Sequence, residues 1–218
     1  LLNFEEAIRL DKKVPDYYNN IGVTLSELNN DETAIENYNK ALEIKPNFVD
    51  PIINIGISYK KLRKFDLSKK YFEKSLKIFP NNPIVFNNLG NLLREDGNIS
   101  EAINCYDRAI NINKNYIEAI NNKAEIFLLQ RKFDEAIIEF KKVLKLNPKF
   151  VYSFGKLLHC KMTICDWTNF SQNIKVIEES IINNENIIEP FPLLSINDNP
   201  KLQKINAGLY NNYKFQNN

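Results

Sequence analysis

PIVFNNLGNLLREDGNISEAINCYDRAI, residues 83–110, sets the bulky side chains Phe86, Leu89 and Leu93 around the small Gly90 and follows them with Ala102 and Tyr106. Intervals of three and four residues put the first group on one stripe of a helix. Ala102 and Tyr106, four apart, form a second stripe after a short polar break. The same arrangement recurs 34 residues earlier as Ile52, Ile55, Gly56 and Tyr59, then Ser68, Phe72 and Pro80. A further step back gives Tyr18, Ile21, Gly22 and Leu25, then Ala34, Tyr38 and Pro46. A step forward gives Ile120, Lys123, Ala124 and Phe127, then Ala136, Phe140 and Pro148. A small residue in each stripe lets two helices approach closely, and proline stops the second helix because it cannot continue the hydrogen-bond ladder. Lys114 stands where the third copy would have that proline, so a softer ending is expected there.

The spacing resembles the tetratricopeptide repeat (TPR), whose signature is W-x2-L-G-x2-Y, then A-x3-F, then P within 34 residues. The resemblance implies an all-α fold, a superhelical solenoid of antiparallel helix pairs. One hairpin cannot bury its apolar face alone, so neighbouring pairs must stack. The repeats are expected at 15–48, 49–82, 83–116 and 117–150, followed by a degenerate repeat and helical junction over 151–218. In the same phase, Phe4 and Ala7 make residues 1–14 the second half of an earlier repeat. The chain begins at Leu1, and its one methionine is Met162. These features read as part of a longer protein.

At about 100° per residue, the position just before the Leu or Ile of each first helix points roughly 150° from the packed stripe, toward the open surface. That column holds Asn20, Asn54, Asn88 and Asn122. Asparagine fills about a sixth of the chain, so an all-asparagine column has odds of about one in a thousand, or a few per cent after searching every column. A carboxamide both donates and accepts, so a regular ladder of them matches the backbone of an extended peptide whatever its sequence. The expected partner is therefore an extended protein or peptide segment. A clamp for a C-terminal carboxylate requires cations on this face. The neighbouring column, Asn19, Ile53, Asn87 and Asn121, holds none. Val23 and Ile57 are expected to be exposed apolar residues on the same surface.

Composition narrows the partner further. The formal charge is +2 and the hydrophobic content 44%. That composition suits a folded core and gives no electrostatic reason to expect nucleic acid. No run approaches the roughly 18 apolar residues of a membrane span. Cys105, Cys160 and Cys165 match neither a disulfide framework nor a paired zinc site, which points to a reducing, cytoplasmic setting. His159 with two of these cysteines lacks a fourth ligand and is expected to serve packing. Cys105, beside the packed Tyr106, needs no functional account. No phosphate-binding glycine loop, catalytic triad or carboxylate pair is visible, so no catalytic, cofactor-binding or metal-binding residue is assigned.

After Phe150 the pattern continues through Phe154, Leu157 and Leu158, then fails at Phe170, where a small residue is due. Phe170, Ile174, Ile177 and Ile181 form a new stripe, and a last helix is expected from Pro200 with Leu202, Ile205, Leu209 and Tyr213 on one face. Trp167 reads as a buried wedge, and Asp166 and Thr168 as caps of the following helix. His159-Cys160-x4-Cys165-Asp166-Trp167-Thr168, Pro190-Phe191-Pro192-Leu193-Leu194, Asp198-x-Pro200-x-Leu202-Gln203 and Tyr210 are similar to the linker of SPINDLY-like O-linked N-acetylglucosamine transferases. That family also carries an asparagine ladder in the matching column. The resemblance implies a protein O-glycosyltransferase whose catalytic domain would follow Asn218 and use a nucleotide sugar. This portion would recognise protein substrates without itself turning them over. The rival expectation is a stand-alone TPR adaptor, and the oligomeric state is left open.

Overall fold

A computed structural model describes residues 13–216, with side chains to Phe215. The half-repeat expected from Phe4 and Ala7 lies outside the described residues. Twelve helices run through the described chain, and no strand occurs among the described residues. The repeats supply α1 (Pro15–Glu27), α2 (Asp31–Ile44), α3 (Val49–Lys61), α4 (Phe65–Ile78), α5 (Pro83–Glu95), α6 (Ile99–Ile112), α7 (Ile117–Leu129) and α8 (Phe133–Leu146). Beyond them lie α9 (Ser153–Thr163), α10 (Phe170–Ile182), α11 (Pro190–Leu194) and α12 (Pro200–Gln216). The fold is all-α and made of consecutive helix pairs, as a TPR solenoid requires.

Local chemistry sets the boundaries. Pro15 and Pro83 occupy the first helical turn, where a missing N–H costs nothing. The Asn82 side chain caps α5 by accepting from the N–H groups of Ile84 (3.0 Å) and Val85 (3.3 Å). Each first helix ends on a residue in left-handed backbone: Asn29, Arg63, Gly97 and Arg131. At that bend the next N–H reaches back to a carbonyl five residues earlier, in the pairs Asn30–Leu25, Lys64–Tyr59, Asn98–Leu93 and Lys132–Phe127. Two otherwise orphaned carbonyls are thereby satisfied at every turn. The second helices end alike, with Lys45, Phe79, Asn113 and Asn147 each donating to the carbonyl four residues back. Lys114 therefore does not soften α6, because this bond and the extended backbone of Asn113 stop the helix without proline.

Packing within each pair follows the small-and-aromatic rule. Tyr38, Phe72, Tyr106 and Phe140 are buried, as are Ala34, Ser68, Ala102 and Ala136. A Cβ added to Gly22, Gly56 or Gly90 would lie 2.4, 2.7 or 2.6 Å from the ring of Tyr38, Phe72 or Tyr106. The ring occupies the space a side chain would fill. Such matched pairs run in opposite directions along the chain, Gly22 with Tyr38 but Ser26 with Asp31, as antiparallel helices require. Burying each aromatic ring contributes about 1.5–3 kcal/mol.

The chain divides into two compact units, Leu1–Lys114 and Asn115–Asn218. In the first, α2 packs on α3 and α4 on α5, so each hairpin seals the next. Ile55 lies in one core cluster with Ala34 and Tyr38, and Val85 and Leu92 share another with Phe72. In the second unit α7 pairs with α8, and α9 covers α8 through Cys160, buried with Ala124, Ala136 and Phe140. A separate core joins Leu158 to Ile177, Ile181, Ile187, Ile188, Leu193 and Leu202.

The C-terminal segment departs from several expectations. Trp167 is 53% exposed, set edge-on against Phe170 with centroids 5.2 Å apart, because its loop turns outward between left-handed Cys165 and Asn169. Neither Asp166 nor Thr168 caps α10. The N-cap is Asn169, and Asp166 Oδ1 instead accepts from the Thr168 N–H at 3.0 Å. Hydrogen bonds to Thr168 and the nearby Lys161 hold the Asp166 carboxyl down to about 2. On α12 the buried face carries Leu202 and Asn206, while Ile205 is exposed. Tyr210 and Tyr213 close that face against Tyr152, at centroid distances of 5.9 and 5.5 Å.

Candidate peptide-binding face

The asparagine column falls on the first helix of each pair, clear of the packed stripe. Asn20 is exposed, and Asn54, Asn88 and Asn122 are half-buried. In the N-terminal unit, Asn54 Nδ2 donates to Asn19 Oδ1 across the seam between α1 and α3 at 3.1 Å. One donor of that carboxamide is therefore engaged with its neighbour, and its second donor and its oxygen remain for a ligand. Asn54 also lines a shallow cavity of about 120 Å³ with Val23, Glu27, Tyr38, Ile57 and Lys61. Val23 and Ile57, expected to be exposed, are half-buried because they pack on the cores around Tyr38 and Phe72. Beside Asn54 the open face thus has a floor that is partly apolar, formed by Val23 and Ile57.

Its polar rim is a chain of contacts between consecutive repeats. Lys61 Nζ donates to Ser26 O (2.8 Å) and Ser26 Oγ (3.0 Å), and Ser26 Oγ donates to the buried Asp31 at 2.7 Å. Lys60 meets Glu95 at 2.9 Å, with Arg63 at 3.6 Å from the same carboxylate. Within the third hairpin, Tyr106 Oη donates to Asn91 Oδ1 at 2.7 Å. Burial raises the Tyr38 phenol above its ordinary range, reinforced by Asp31 and Glu27, so it remains a neutral donor. Sequence reading missed Lys61, Ser26 and Asn91 as parts of this surface. For Ser26 and Lys61 the signal was a spacing of one repeat plus one residue, visible only once the seam is known, whereas Asn91 meets Tyr106 within one hairpin, 15 residues away.

In the C-terminal unit, Asn122 stands beside a second network. Ser153 Oγ donates to Asn121 Oδ1 (3.0 Å), Asn121 Nδ2 donates to Glu125 Oε1 (3.1 Å), and Lys156 Nζ donates to the same oxygen. His159 is exposed, Cys160 buried and Cys165 exposed, so these three side chains face different surroundings. Burial pushes the Cys160 thiol up to about 11. Among the described residues, no group of three or more His, Cys, Asp or Glu could hold a metal, and no helix is long and apolar enough to cross a membrane.

Comparison with known proteins fits this geometry. Models of the tetratricopeptide repeat match residues 15–48, 50–82, 71–104 and 117–150, and a model of the TPR repeat matches 90–131. Residues 15–150 are a tetratricopeptide-repeat region, and the chain belongs among the TPR proteins, a class of protein-binding scaffolds. No curated protein matches the sequence. Among solved structures, the chain is similar to YrrB, described as a TPR protein with an unusual peptide-binding site (TM-score 0.55, 24% identity, 82% of this chain and 90% of that one). It is also similar to MamA from Desulfovibrio magneticus RS-1 (0.62, 16% identity, 76% and 93%). Yeast Tom70 gives a TM-score of 0.72 at 21% identity over 98% of this chain, which spans 42% of that protein. At these identities the likeness is one of fold.

Proposed function

We propose that this TPR region binds extended protein segments, with the side-chain amides of Asn20, Asn54, Asn88 and Asn122 gripping peptide backbone. The observation that carries the reading is one open-face asparagine per repeat, outside the packed stripe in all four repeats. Backbone recognition suits varied partners, because every peptide offers the same N–H and C=O groups. YrrB, a TPR protein with an unusual peptide-binding site, adds support by analogy. The test is a variant with Asn54, Asn88 and Asn122 all changed to alanine. Its affinity for extended Ser/Thr-rich peptides should fall by tenfold or more at unchanged helical content, and an unchanged affinity would overturn the mechanism.

The segment around His159, Cys160, Asp166, Trp167, Pro190 and Phe191 supports a narrower proposal. In it, the scaffold presents substrates to a cytoplasmic protein O-glycosyltransferase of the SPINDLY-like type, whose catalytic domain would take a nucleotide sugar. That reading rests on the motif resemblance alone. Reading the gene beyond Asn218 tests it: an open frame encoding alternating strands and helices favours the transferase, and a stop codon favours the adaptor.

A further inference from the structure

Two open-face positions change character in the fourth repeat. They hold Ser26 and Glu27 in the first, Lys60 and Lys61 in the second, and Arg94 and Glu95 in the third. In the fourth they hold Leu128 and Leu129. Ser26, Lys60, Lys61 and Glu95 are engaged in contacts between neighbouring repeats, whereas Leu129 is 76% exposed at the end of α7. Leu128 forms one wall of a cavity of about 290 Å³, and Phe191 and Pro192 of α11 form another. Phe191 is 84% exposed and Leu194, on the same short helix, 57% exposed, so α11 leaves two large apolar side chains uncovered. Gly155, Lys156 and His159 of α9 supply the third side. By count, Lys156 occupies the position that holds asparagine in the four repeats.

We propose that this cavity in the C-terminal unit takes one bulky apolar side chain of a bound protein segment, clasped between Leu128, Phe191 and Pro192. The inference rests on the peptide-binding reading and adds an anchor to it. Size favours a single side chain, because pockets that enclose whole drug-sized ligands run from roughly 300 to 1,000 Å³ and this cavity, at about 290 Å³, lies at the bottom of that range. Charge disfavours an acidic one, because Lys156 is already matched by Glu125 and Glu189 lines the same cavity, so a carboxylate would lose its hydration without gaining a fresh partner, while Leu128, Phe191 and Pro192 offer apolar contact. Glu189 and His159 stand at the same cavity, where they can meet the backbone N–H and C=O groups flanking the anchor. The amides of the open face read backbone, and the cavity selects among segments by one side chain.

The test uses the 218-residue chain and two fluorescein-labelled decapeptides of Gly, Ser and Thr, one with a central Phe and one with Asp in its place. Fluorescence polarisation should show the Phe peptide binding about tenfold more tightly. Phe191→Asp changes a side chain that lies outside the core and should erase the preference. The triple asparagine variant should weaken both peptides by a similar factor. Equal affinities for the two peptides, or a preference that survives Phe191→Asp, would overturn the anchor while leaving the amide ladder standing. Failure of both peptides to bind would overturn the two readings together.

Discussion

The regular repeats and the segment after Phe150 use the same small-residue device on different partners. In the repeats, Gly22, Gly56 and Gly90 make room for an aromatic ring from the partner helix of the same hairpin. In the C-terminal segment, a Cβ on Gly155 would lie 2.7 Å from Ile188 Cγ1 and 3.0 Å from its Cα, so there the space is taken by the backbone of a loop. The position that is Gly or Ala in the four repeats is Leu158, buried in a core with Ile177 and Ile181. Polar bookkeeping differs as well. Of the four buried side-chain atoms without a partner among the described residues, Tyr152 Oη, Asn186 Oδ1 and Asn206 Nδ2 belong to the segment and only Ser58 Oγ to the repeats. Repetition reuses a solution that leaves one such atom, Ser58 Oγ, across four repeats. An irregular segment must satisfy each one separately, at about 1–3 kcal/mol for each failure.

The comparison can be broken most forcefully at the rings. Phe72→Ala removes a fully buried side chain shared by α3, α4 and the next hairpin. It should cost about 3–5 kcal/mol in urea-induced unfolding. A loss below about 1 kcal/mol would show that the stacked rings do not hold the array together. Gly155→Ala should cost about 1–3 kcal/mol, because the new methyl meets the Ile188 backbone and not only a movable side chain. Amide chemical shifts should change around Ile188, and a neutral result would refute the packing difference between the two regions. The smallest effect is expected at Ser58, whose hydroxyl is buried and unpaired. Ser58→Ala should leave stability unchanged or raise it by up to about 1 kcal/mol, and a clear loss would reveal a hydrogen bond formed in solution.

The packing columns were legible because size recurs: Gly or Ala opposite Tyr or Phe, every 34 residues. The bends between helices were legible only in part. Gly97 and Asn29 are ordinary left-handed residues, but Arg63 and Arg131 adopt the same conformation without any compositional cue. The returning N–H of the next residue dictates the bend there, and tertiary packing overrides propensity. The asparagine column was plain in the sequence, while the engagement of Asn54 with Asn19 was not, because it depends on how neighbouring hairpins are offset. Trp167 misled for a related reason. A large aromatic residue suggests burial, but two left-handed residues, Cys165 and Asn169, turn its loop outward.

In the N-terminal unit the seam contacts join Asn19 to Asn54, Ser26 to Lys61 and Lys60 to Glu95, each pair 35 residues apart. Hairpins that share one backbone plan therefore carry different edges, and each edge is written for its own successor. Excising residues 49–82 would keep the phase of the helices intact, yet it would bring the Ser26–Asp31 edge against Glu95 in place of Lys61. Carboxylate would then face carboxylate. Serial order is thus spelled in the side chains of the seams, so these modules cannot be reshuffled like beads on a string, and a chain that lost one would have to rewrite the edge on either side of the gap.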